Sequence, residues 1–115
     1  MERKELLNEL FTLIEDIKNK QLEIEELEEV KKQKWDIINP LLLQIQKDVY
    51  SDTQYKNSEQ RETEINFRKY NDAIIQNTMK EIEKLNNEIN FLRIELEFLE
   101  NKFKSYRLVY ANSLL

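Results

Sequence analysis

IQNTMKEIEKLNNEINFLRIELEFLENKFKSYRLVY, Ile75 to Tyr110, is the stretch that decides the fold. Ile75, Ile82, Ile89, Leu96, Phe103 and Tyr110 recur every seven residues, and Thr78, Leu85, Leu92, Leu99 and Tyr106 fill the slot between them. Apolar spacings that alternate between three and four keep one narrow stripe of a helix turned towards a neighbour. A repeat sustained over this length therefore specifies coiled-coil packing. The seam is read as Ile75, Ile82, Leu85, Ile89, Leu92, Leu96, Leu99, Phe103 and Tyr106.

The partner for that seam lies upstream. Leu6, Leu10, Leu13, Ile17, Ile24 and Leu27 carry the same alternation, with Lys20 in the one missed slot and Lys31 in the next after Leu27. A lysine in a seam costs stability but fixes register. Leu7, Phe11 and Ile14 widen the apolar face near the N-terminus, as in a bundle. Asn39-Pro40 then reads as a boundary, because proline disfavours a helical residue before it and sits well in a first helical turn. The pattern thus predicts a helix over 2–38 and a short helix over 40–50, with Leu41, Leu42, Ile45 and Val49 on its apolar face. A kinked continuation of the first helix is the competing reading. The polar run SDTQYKN is a connection over 51–57, and Asn57 followed by Gln60 gives a capping start for a long helix over 58–111. One connection between long neighbours makes them antiparallel. The fold class is all-α: a single elongated domain over 1–115, an antiparallel coiled-coil helical hairpin with a short extra helix, assembled into a dimeric helical bundle.

Composition narrows the chemistry. The 115 residues include no glycine, cysteine or histidine and one proline, and 36% are charged with a net charge of −5. Tight turns with positive φ recruit glycine, so β-hairpins and barrels are disfavoured. Without cysteine there is no disulfide or thiolate site, and without histidine the usual general base and zinc ligand are missing. Paired carboxylates such as Glu25-Glu26 and Glu28-Glu29 read as a solvated helix face rather than acid–base machinery, which needs a desolvated pocket. No catalytic, cofactor-binding or metal residue is assigned, and no cofactor is expected. There is no apolar run of membrane-spanning length and no signal-peptide core, which places the chain in the cytoplasm.

Two candidate sites remain. Phe91, Ile94, Phe98 and Leu108 lie off the seam, on the opposite side of the same helix, and form a candidate partner or dimer face. The segment 40–50 or a second subunit would cover them. Asn57, Arg61, Arg68, Lys69 and Trp35 form a candidate polar contact site; Tyr55, Phe67 and Tyr70 interleave with the basic residues in a way that permits base stacking. Each has a plainer reading: a solvated helix face for the cations, capping for Asn57, packing at the bend for Trp35.

The segment from Val49 to Leu108 resembles a group of small helical coiled-coil proteins encoded by tailed phages and prophages. The resemblance is carried by KNSEQRE (Lys56–Glu62), by Tyr70, and by LRIELEFLENKFKSYRLV (Leu92–Val109); Asn57-x-x-x-Arg61 and the run Glu95–Leu99 are its specific parts. It implies an accessory role beside recombination and replication proteins, in the host cytoplasm, and no particular activity. The functional expectation is a non-enzymatic protein–protein adaptor that partners itself and a further protein. Behind it stand an acidic inhibitor that mimics nucleic acid through Glu23–Glu29, and a weak single-strand binder acting through 56–70.

Overall fold

The computed structural model describes residues 1–114, and among these every regular element is helical. Helix α1 spans Arg3–Ser51, α2 spans Ser58–Asn71 and α3 spans Ala73–Ser113. Backbone contacts divide the chain into two units, Met1–Glu28 with Asn87–Leu115, and Glu29–Asn86.

In the first unit the two chain segments run antiparallel. Arg3 lies over the Tyr110 ring at 5.4 Å, Lys20 meets Glu95 at 2.8 Å, and Glu28 meets Arg93 at 2.6 Å, so numbers rise along α1 as they fall along α3. Leu6, Leu10 and Leu13 of α1 and Ile89 and Leu92 of α3 are buried, and Leu96, Leu99, Phe103 and Tyr106 are half-buried. The seven-residue spacing is thus spent on contact between α1 and α3. Lys20 reaches out of its seam slot to Glu95, and also approaches Glu23 at 3.7 Å. The hydrogen bond to Glu95 holds the Lys20 ammonium above its ordinary lysine range.

The second unit is built on Ile38, Ile75 and Ile82, with Trp35, Leu41, Leu42 and Ile45 packed around them. This cluster corrects the expected break at Pro40. The segments 2–38 and 40–50 are one helix, with Pro40 inside it. An interior proline removes one N–H and crowds the preceding turn. Here Ile38 and Val49 are fully buried on either side of it, and burial of that apolar face on one continuous helix outweighs the local cost. Pro40 itself is exposed. Lys34 and Glu81 close the same unit with an ion pair at 2.8 Å.

A second correction falls at Asp72. The expected continuous helix over 58–111 is two helices, because Asp72 is extended (φ −88°, ψ 110°). Its side chain accepts from the Ile75 amide at 3.0 Å and so caps α3, while at the end of α2 the Asp72 amide and Gln76 Nε2 both donate to the Lys69 carbonyl and Asn71 Nδ2 donates to the Phe67 carbonyl. The break thus uses neighbouring side chains and the Asp72 amide and needs no glycine, and among the described residues no backbone φ is positive. Replacing Asp72 with Ala is expected to cost about 1 kcal/mol, the usual loss for a helix N-cap, seen as a lower urea midpoint.

The connection over 52–57 also works without glycine. The Gln54 amide donates to the Asp52 carboxylate, and the Tyr55 amide to the Asp52 carbonyl. Asn57 then accepts from the Gln60 amide at 2.9 Å, and the Gln60 side chain accepts from the Lys56 amide at 2.8 Å. This reciprocal pair is a capping box whose return bond lands one residue early.

Candidate interaction face

Phe91, Ile94, Phe98 and Leu108 stand on α3 with 61%, 67%, 66% and 63% of their surface exposed. At 3.6 residues per turn they fall within an arc of about 100°, turned away from the seam that α1 occupies. Asn101 and Ser105, also exposed, complete the same stripe. The segment 40–50, expected as a cover, is spent elsewhere: Leu41, Leu42 and Ile45 pack in the second unit on Ile38, Ile75 and Ile82. Four large apolar side chains thus share one helix face, each mostly open to water.

The face has shape as well as composition. Lys20 and Glu95 form one wall of a shallow groove completed by Ile94, Phe98 and Leu99. A neighbouring groove is lined by Glu23, Glu26, Leu27, Glu88, Phe91 and Leu92.

The candidate polar site fares differently. Asn57 caps α2. The Arg61 guanidinium stacks on the Tyr50 ring at 5.1 Å, joining α2 to the last turn of α1, and its Nε is enclosed with no acceptor among the described residues. Arg68 donates to Glu64 at 2.8 Å, and this bond, with a further one to Tyr55, raises its already high pKa. Lys69 is half-buried, and its carbonyl accepts from Gln76. Trp35 is half-buried against the Ile38 cluster and is not part of an open anchor. Of the five residues, three are held by the chain itself as cap, stack or ion pair, and a fourth packs in the core. Phe67 and Tyr70 remain exposed on α2; of the two cations between them Arg68 is turned to Glu64, and Lys69 is half-buried.

The acidic row is partly spent too. Glu23 approaches Lys20, and Glu28 is paired with Arg93, while Glu25, Glu26 and Glu29 are exposed. Among the described residues no group of three carboxylates, cysteines or histidines is close enough to hold a metal ion, and no helix is long and apolar enough to cross a membrane. Sequence reasoning missed the Arg61–Tyr50 stack, which depends on the connection folding α2 back to α1. It could have found the Glu64–Arg68 pair, since the two stand four apart on a helix. Comparison with protein-family models, curated proteins and solved structures finds no match for this chain.

Proposed function

We propose that this chain is a non-enzymatic interaction protein, and that the Phe91–Leu108 face of α3 is its docking surface for another helix. One observation carries the reading: four large apolar side chains stay more than 60% exposed on a helix whose own seam is already filled. An amphipathic partner helix engages such a face with anchors at i, i+3 and i+7, the spacing of Phe91, Ile94 and Phe98. The resemblance of 49–108 to small phage helical proteins directs the search for further partners to recombination and replication proteins in the cytoplasm. The adaptor reading is favoured over the nucleic-acid one by a specific feature: Arg61 and Arg68, two of the cations over 56–70, are occupied by Tyr50 and Glu64.

Phe98→Asp tests it. The side chain is exposed, so helix content should be unchanged by circular dichroism. A carboxylate in the middle of the docked face should abolish self-association or partner capture, as centrally buried aromatics dominate interface energies. If Phe98→Asp leaves both the solution mass and the set of captured proteins as they were, the face is not a docking surface.

A further inference from the structure

We propose that the occupant of the Phe91–Leu108 face is a second copy of this chain, with the two α3 helices antiparallel about a two-fold axis passing between Leu99 and Glu100. The inference rests on the reading of this face as a docking surface and names what docks there.

The order of charges along the stripe points to the occupant. Each border carries an acid followed by a base. Glu95 precedes Lys102 on one border, and Glu97 precedes Lys104 on the other. At 3.6 residues per turn the two members of each pair lie about 20° apart around the helix, so each pair keeps to its own border. A two-fold axis between Leu99 and Glu100 turns one helix end for end against the other and keeps like borders together. Glu95 then comes within about 3 Å of axial rise of the second copy's Lys102, and Glu97 equally near its Lys104. Four opposite-charge pairs result, two on each border.

The same operation sets Phe91 opposite Leu108, Ile94 opposite Ser105, and Phe98 opposite Asn101, which is the register of an antiparallel seam. Other arrangements do worse. A parallel, in-register pair places acids at the height of acids and bases at the height of bases. A partner of one charge sign meets its like over half the stripe, and such juxtapositions are disfavoured.

Among the described residues the chain's own ion pairs claim only one of these groups, Glu95, which Lys20 holds at 2.8 Å. Glu97 and Lys104 are exposed, and Lys102 only leans over its own Tyr106 ring at 5.6 Å. Glu95 gives one oxygen to Lys20 and keeps a second. The apolar surface is sufficient. The four side chains at their observed exposure offer roughly 500 Å² per copy, so about 1,000 Å² for two, the size at which a specific interface becomes credible before any border residue is added. An interface of one patch with itself is also the form that closed dimers take.

Sedimentation of the full chain is the test. The expected mass at micromolar concentration is twice the 14.1 kDa chain mass. Lys104→Glu should weaken self-association about tenfold, because it faces Glu97 of the second copy with a like charge, and adding Glu97→Lys should restore it. This swap leaves the Lys20–Glu95 pair untouched. In a parallel dimer Lys104→Glu would instead strengthen association, by standing at the height of Lys102.

Orientation has its own readout, because the chain has no cysteine. A mixture of Ile94→Cys and Ser105→Cys chains should cross-link on oxidation, whereas Ser105→Cys alone should not. A wild type that stays monomeric on the order of 100 μM overturns the inference. So does a dimer indifferent to the swap, or Ser105→Cys chains that link to themselves. If the wild type is monomeric and Phe98→Asp still loses a captured protein, the docking reading stands and only this inference falls; if nothing is lost, both fall.

Discussion

Ile75→Ala is expected to lower the unfolding free energy by about 2–5 kcal/mol, the range for truncating a buried aliphatic side chain to alanine. Ile75 has no exposed surface and sits among Ile38, Ile82, Trp35, Leu41, Leu42 and Ile45. The cost combines the lost transfer energy of the removed carbons with the void they leave, and a core made by so few elements has little material with which to collapse around that void. Domains are held by only about 5–15 kcal/mol in total, so this single change takes a large share. The neighbouring Ile74→Ala is the control, because Ile74 is 57% exposed and should change stability by less than about 0.5 kcal/mol. Trp35, the only tryptophan, packs on the same cluster, so its fluorescence reads the loss directly during urea unfolding. Equal effects at 74 and 75 would mean that the second unit has no such core.

The contrast between Ile74 and Ile75 shows which part of the fold could be read from residues alone. Period is a local property, and the seven-residue alternation from Ile75 onward determines which side of α3 turns inward whatever the partner is. The Asn57 cap was legible for the same reason, since its partners are three residues away. The break at Asp72 went unread because neither glycine nor proline marks it. The signal lay in Asn71-Asp72, two capping residue types placed immediately before the seam begins, and it is weak unless one asks what satisfies the carbonyls of Phe67 and Lys69. Part of the answer comes from side chains, Asn71 and Gln76, that a scan for turn residues passes over, and the rest from the Asp72 amide on the Lys69 carbonyl.

The candidate face was legible as a stripe left over once the seam had been assigned. Its exposure was not, because a third helical segment of the right apolar character, 40–50, was present and had to be placed first. The internal partners of the polar residues were not legible, for the converse reason. A cation's freedom depends on what folds back upon it, and nothing local to Arg61 announces Tyr50. Apolar stripes therefore transfer well from sequence to structure, whereas clusters of long charged side chains transfer poorly. A seam is specified by many residues at once, and a charge can be neutralised by one distant neighbour.

Pro40→Ala is expected to stabilise the protein by about 2 kcal/mol. Proline in a helix interior costs about 3 kcal/mol relative to alanine, through the missing N–H and the clash of its ring with the preceding turn. Against this, proline stiffens the unfolded chain, and losing that stiffness returns about 0.4–1 kcal/mol to the unfolded state. No packing is lost, because Pro40 is exposed while Ile38, Leu41 and Leu42 on the inward side remain. Alanine would supply the amide that the Asp36 carbonyl lacks, on a helix that already runs from Arg3 to Ser51. The urea midpoint should rise while the Trp35 emission of the folded state stays where it is. A fall in stability would carry a different meaning. It would show that the cluster of Ile38 and Leu41 needs the helix deformed at that turn, so that proline holds a bend which alanine would have to be forced into. Neutrality would mean that bend and strain cancel. Only a rise is consistent with a helix that crosses Pro40 because its flanking apolar residues outweigh the proline's local cost.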